Sequence, residues 1–192
     1  MKFKDDIMNM KFSFKLIALV GTVALFAIVI LQTKYPSSLV PSMKTSGCSE
    51  GSVEPIFSPD NSEEIFSVIK NAKSEIKLEV YEFSYKALAD ALIDSRERGV
   101  SVKVILEPSV YQNSETLNYL INSGIAVNWA SKKFHNTHSK FMIVDDSIVV
   151  VGSMNWSENA FKKNREASVI IYSKEISSEF ERIFDDDFGS GN

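Results

Sequence analysis

Apolar residues fall into two regimes along this chain. Leu16 to Leu31 is an unbroken run of apolar and small residues. From Val53 onward, apolar and polar positions recur with the periods of helices and strands. Ser58-Pro59 supplies a cap and a proline at a first helical position, and Ile65, Phe66, Val68 and Ile69 mark the buried side of a helix to about Lys73. Ile76 to Phe83 alternates, which predicts a strand with one apolar face. Ala87 to Arg98 reads as a helix with Leu88, Ala91, Leu92 and Ser95 on one stripe, ended by Gly99. Val100 to Leu106 is a strand stopped by Glu107-Pro108. Ser114 to Asn122 is a helix closed by Gly124, and Ile125 to Ala130 is a short strand. Two further strands, near Lys140–Val144 and Ile148–Gly152, are joined by a turn at Asp145-Asp146-Ser147. Ala167 to Tyr172 is another strand. Lys174 to Phe188 is a final helix with Ile176, Phe180, Ile183 and Phe184 toward the core. Helices alternating with strands predict an α/β fold, a mixed β-sheet flanked by helices.

The N-terminal run stands apart from this pattern. Extended back through Phe12-Ser13-Phe14, it approaches the roughly 20 residues that span a bilayer. It is apolar all round, which disfavours a core helix. Residues 1–31 therefore read as a transmembrane signal anchor or a signal peptide. No clear A-x-A-like cleavage site follows, which favours the anchor, and secretion after cleavage is the alternative. Lys2, Lys4, Lys11 and Lys15 precede the span, so the domain is expected on the extracytoplasmic side, periplasm or cell surface in a bacterium. Residues 32–52, rich in Ser, Pro and Thr, form a flexible linker, and 53–190 form one domain.

Charge and cysteine content narrow the picture. The chain carries a net −4, and from Pro55 onward 15 Lys and Arg face 21 Asp and Glu, a net of −6. A nucleic-acid enzyme usually shows a basic footprint. Here Lys132, Lys133, Lys140, Lys162, Lys163 and Arg165 cluster near one stretch of sequence, while Asp185-Asp186-Asp187 lies at the far end. Cys48 is the single cysteine, so no intrachain disulfide forms and the fold stands on its core.

That basic stretch holds the candidate chemistry. His138-Ser139-Lys140-Phe141-Met142-Ile143-Val144-Asp145 reads H-x-K-x₄-D, and Gly152-Ser153-Met154-Asn155-Trp156 reads G-S-x-N-W. The i, i+2 spacing on a strand sends His138 and Lys140 to one side, and Ser153 and Asn155 repeat it. A hairpin would gather an imidazole, an ammonium, a hydroxyl and an amide, a set suited to a phosphate diester. His135 and His138 lack a third nitrogen or sulfur ligand at useful spacing, so no metal site is expected. Trp156 reads as packing beneath the site, and Phe134 as the aromatic at its mouth.

These segments resemble the HKD motif of the phospholipase D superfamily, and more closely its single-motif members, the bacterial endonucleases and related mitochondrial cardiolipin hydrolases. Glu166 in Asn164-Arg165-Glu166 falls where that family places a site carboxylate. The resemblance implies a phospholipase D-like fold and metal-independent phosphodiesterase chemistry without cofactors. It implies that His138 forms a phosphohistidine, that Lys140, Ser153 and Asn155 bind phosphate, and that Glu166 orients an imidazole. Asp145 and Gly152 read as structural members of the motif. One motif per chain supplies one histidine where two are needed, so a homodimer is expected. Nucleic acid is the leading substrate, a phosphatidyl lipid such as cardiolipin the alternative, and a non-catalytic phosphate- or lipid-binding module a third possibility.

Overall fold

The computed structural model of the protein describes residues 51–191. The membrane segment expected over 1–31, Cys48 and nearly all of the linker expected over 32–52 lie outside the described residues. The described elements are β1 (Ser52–Phe57), α1 (Glu63–Asn71), β2 (Glu75–Val80), α2 (Lys86–Glu97), β3 (Ser101–Leu106), α3 (Asn113–Asn122), β4 (Ala126–Trp129), β5 (Lys140–Val144), β6 (Ile148–Gly152), α4 (Glu158–Lys162), β7 (Ala167–Tyr172) and α5 (Lys174–Ser190).

The strands form one mixed sheet in the order β1-β7-β6-β5-β2-β3-β4. The β2, β3 and β4 strands run parallel, linked by helical crossovers, and the other neighbours pair antiparallel. Alternate strand residues divide between two apolar layers. Ile76, Leu78, Val80, Val104, Met142 and Val144 pack with Ile65 and Ile69 of α1 and Leu88 and Leu92 of α2. On the other face, Ile105, Phe141 and Ile143 pack with Phe184 of α5. The result is a helix–sheet–helix stack around a central sheet.

Five features depart from what the sequence predicts. The first element is β1, an edge strand pairing with β7, and it was not anticipated. Its Pro55 breaks the alternation that would signal a strand, yet an edge position tolerates proline. Ser58 does not cap a helix: Ser58-Pro59 is a cis peptide in the turn after β1, and α1 starts at Glu63. The β2 strand has two covered faces, because α5 lies over the side that reads as polar. Lys77 and Glu79 are buried there. In α5, Phe184 is fully buried and Phe180 partly so, whereas Ile176 and Ile183 are exposed. The short helix α4 also went unread, since five residues are too few to display a helical period.

The turn between β5 and β6 is tight. Asp145 and Asp146 both have positive φ, 52° and 54°, in a three-residue turn closed by the Ser147 N–H, which donates to the Val144 carbonyl at 3.2 Å. The Asp145 carboxylate accepts from the backbone N–H groups of Lys73, Ser74 and Glu75 and from the Ser74 hydroxyl. It thereby ties the hairpin to the start of β2. Burial pushes this carboxyl up, but those hydrogen bonds outweigh it and hold it below its ordinary value.

Candidate active site

The motif residues gather at one end of the sheet, where β2 and β6 finish and β5 and β7 begin. Lys140 opens β5, and His138 lies on the extended segment just before it, not on the strand itself. The expected convergence is present. Lys140 Nζ is 3.3 Å from His138 Nδ1 and donates to the His138 carbonyl at 2.7 Å. The imidazole is exposed, while the lysine is buried. Burial pulls the Lys140 ammonium below its ordinary pKa, and the Glu166 and Glu82 carboxylates offset part of that shift.

Two residues that the sequence places only on the strand Ile76 to Phe83 complete this corner. The Tyr81 ring lies 4.4 Å from the imidazole, and Lys140 Nζ sits 5.1 Å above the Tyr81 ring. Glu82 accepts from Asn155 Nδ2 at 3.2 Å and from Ser84 Oγ at 3.1 Å. Both follow β2, which β5 places beside His138, although about sixty positions separate them in sequence. No local pattern announces them.

Ser153 and Asn155 follow β6. Ser153 donates to Glu166 Oε2 at 2.6 Å and accepts from the Ala167 N–H, while Asn164 donates to Glu166 Oε1 at 3.1 Å. Among the described residues, the Glu166 carboxylate is held by a hydroxyl and an amide. Gly152 permits this arrangement. A side chain there would collide with Ser168 Oγ and the backbone of Ala167 and Ser168, where β7 crosses.

A second layer fixes these groups. Ser58, fully buried, accepts from the Glu166 N–H and donates to the Asn164 carbonyl. Asn113, also fully buried, accepts from the Phe83 N–H and donates to the carbonyls of Tyr81 and Glu107, each at 2.8 Å. Glu107 accepts from the Thr137 N–H at 2.8 Å, one residue before His138. Phe83 forms a bridge to Trp156, and the Trp156 N–H donates to the Glu82 carbonyl. The indole is buried against Phe83, the packing role expected of it. Such a frame pre-organises the groups it holds.

The segment before His138 borders a cavity of about 430 Å³ lined by Glu107, Lys132, Lys133, Phe134 and His135. Phe134 is half exposed, with Lys133 Nζ 5.4 Å above its ring. Arg165 is engaged with Asp60 at 2.6 Å and Lys162 with Glu158 at 3.1 Å, so the charges expected near the motif are partly neutralised. Asp145 sits at the far end of β5 from Lys140, about 17 Å away for five residues of strand. It contributes architecture, as expected, and no contact to the site.

Residues 65–188 match the family model described as "Cardiolipin synthase, PLD-like domain". A mitochondrial cardiolipin hydrolase of Xenopus laevis is 29% identical over 151 residues, covering 70% of this chain and 71% of that protein. A phospholipase D of Rickettsia bellii is 29% identical over 148 residues, covering 76% and 73%. The crystal structure of Nuc from Salmonella typhimurium, a phospholipase D family member, is 31% identical with a TM-score of 0.69. That likeness covers 74% of this chain and 97% of Nuc.

Proposed function

This chain belongs to the phospholipase D-like family of phosphodiesterases, and from that premise we propose that it is a homodimeric endonuclease cutting DNA or RNA through His138. The observation that carries the reading is the convergence of the exposed His138 ring and the buried Lys140 ammonium at 3.3 Å. A ring nitrogen of His138 attacks phosphorus, and the bond to the leaving oxygen breaks. That oxygen takes a proton from His138 of the partner subunit. Water then attacks the phosphohistidine and yields its proton to that same partner imidazole. The phosphorus–nitrogen bond breaks, freeing the phosphate monoester. Two easier displacements replace one hard one. Lys140 and Asn155 offset charge on the five-coordinate phosphorus, where fixed donors are most effective.

A two-fold axis through the site supplies the second histidine, because an isologous interface brings one patch of each protomer together. The lysines and Phe134 before His138 suit an extended phosphate backbone. Contacts to phosphate alone carry no base information, so low sequence preference follows. The second reading, hydrolysis of a phosphatidyl lipid, is favoured by the named activities of the relatives and by the membrane anchor expected over 1–31.

One set of assays tests both readings. The full chain is incubated with plasmid DNA, single-stranded RNA and cardiolipin vesicles, alongside His138→Asn. Cleavage of nucleic acid by wild type alone is the expected result, and lipid turnover without nucleic-acid cleavage would transfer the conclusion to the second reading. Excess His138→Asn subunits, exchanged into wild type, are expected to depress activity below simple dilution. Strict proportionality would refute the shared site.

A further inference from the structure

The chemistry proposed above leaves one buried acid unused. Glu79 is the penultimate residue of β2, paired with Ile105 of β3 and Phe141 of β5, and is 3% exposed. One carboxyl oxygen takes the hydroxyl of Ser139, the residue between His138 and Lys140. The other, Oε2, is buried with no hydrogen-bond partner among the described residues. A charged carboxylate with one orphaned oxygen in such a place is costly, whereas the neutral acid costs far less. Its surroundings point the same way. From α5, Asp187 presents a like charge, and Lys133 partly offsets Asp187. On its own strand, Lys77 is engaged by Glu75 and Asp185, at 3.2 and 3.3 Å. The neighbouring strands contribute Ile105 and Phe141, which carry no charge.

We propose that Glu79 is a positioning residue for the hydrolysis: as the neutral acid it clamps Ser139 and so fixes the directions in which His138 and Lys140 leave the backbone. Ser139 is also held from the chain side, its carbonyl accepting from the Tyr81 N–H at 3.0 Å. With the Ser139 hydroxyl tied to β2 and its carbonyl to the residue just after β2, the flanking side chains are confined to the opposite side. Burial, with the Asp187 charge adding to it and the Ser139 hydroxyl opposing it, pushes the Glu79 carboxyl up to about 7. Ionisation above that point leaves a buried charge on the unpartnered Oε2 beneath the motif, and that cost, not a weaker Ser139 hydrogen bond, displaces the segment that carries His138 and Lys140. No substrate contact is involved, and Glu79 acts through Ser139.

The inference rests on the site reading for His138 and Lys140, and the experiment separates the two. Turnover of bis(p-nitrophenyl) phosphate by the full chain is followed from about pH 6 to about pH 8.5, across the Glu79 titration. Ser139→Ala and Glu79→Leu are expected to lower kcat by about tenfold or more with KM within about twofold, the signature of misplaced groups. Glu79→Gln keeps the shape and cannot ionise. Its activity relative to wild type is expected to rise by about threefold or more across that range, because only wild type acquires the buried charge. A flat ratio, or wild-type kcat in Ser139→Ala, would overturn the inference. Should Glu79→Leu lose its circular dichroism spectrum, Ser139→Ala and the Glu79→Gln ratio still decide. His138→Asn runs in parallel. Activity retained there would overturn the site reading itself, whereas an inactive His138→Asn with a flat ratio overturns only the role of Glu79.

Discussion

Asp145 belongs to the motif by sequence and to the scaffold by position, and the two predict opposite phenotypes. Its Oδ1 accepts from the N–H groups of Lys73, Ser74 and Glu75 and from Ser74 Oγ, and Oδ2 accepts from Lys73 at 2.9 Å. In Asp145→Ala, the donors of Lys73 and Ser74 are exposed and regain water, so each loss costs about 0.5 kcal/mol. The partly buried Glu75 N–H loses a charged acceptor, about 1.5 kcal/mol. Alanine must also adopt the left-handed backbone at φ 52°, a cost of about 1 kcal/mol. The sum is about 4 kcal/mol, or about 12 °C in Tm for a domain of this size. Asp145→Asn retains Oδ1 and tolerates the backbone, so about 1 kcal/mol is expected. Thermal melting by circular dichroism measures both, with kcat at a temperature where all variants are folded. The pH dependence has a definite sign. The carboxyl is held below its ordinary value of 3.8, so its contribution is present above that value and lost as pH falls below it. The gap between wild type and Asp145→Asn should close in acid. A melting point within about 2 °C of wild type for Asp145→Ala would refute the scaffold role. A kcat loss above about tenfold in folded Asp145→Asn would place the carboxylate in the chemistry.

Two other outcomes follow from the residues. Activity should persist in excess EDTA, since Lys140 and Asn155 already supply a cation and a donor for phosphate; loss restored by zinc or magnesium would shift the chemistry to a metal. Full-length protein should stay with membranes through carbonate extraction, held by residues 1–31, and mature protein beginning beyond Leu31 would show cleavage instead.

The hairpin strands Lys140–Val144 and Ile148–Gly152 and the strand Ala167–Tyr172 were legible residue for residue. Dense β-branched runs bounded by turn residues leave little ambiguity. The α2 helix ended where expected because Gly99 takes a φ of 96°. The expected pairing of His138 with Lys140 also held, because i, i+2 spacing is local geometry. What stayed hidden was non-local. Glu82, Tyr81, Asn113 and Glu107 look like ordinary strand-end and helix-start residues. They join the site only through the strand order, which places β2 between β5 and β3. Lys77 and Glu79 read as a solvated face because alternation reports one apolar side and cannot announce a helix over the other.

The pairing of β1 with β7 has a consequence for timing during synthesis. Among the described residues, the first strand of the sheet pairs with the last, more than a hundred residues later. Glu166 and the segment Ser58 holds also lie in that closing stretch. A nascent chain on the ribosome can assemble the parallel half of the sheet early, because β2, β3 and β4 are close in sequence. Its phosphodiester site remains incomplete until Tyr172 has emerged. Hydrolytic competence is therefore withheld from partial products, and the order of the strands acts as a clock on when the chain can first hydrolyse a phosphodiester.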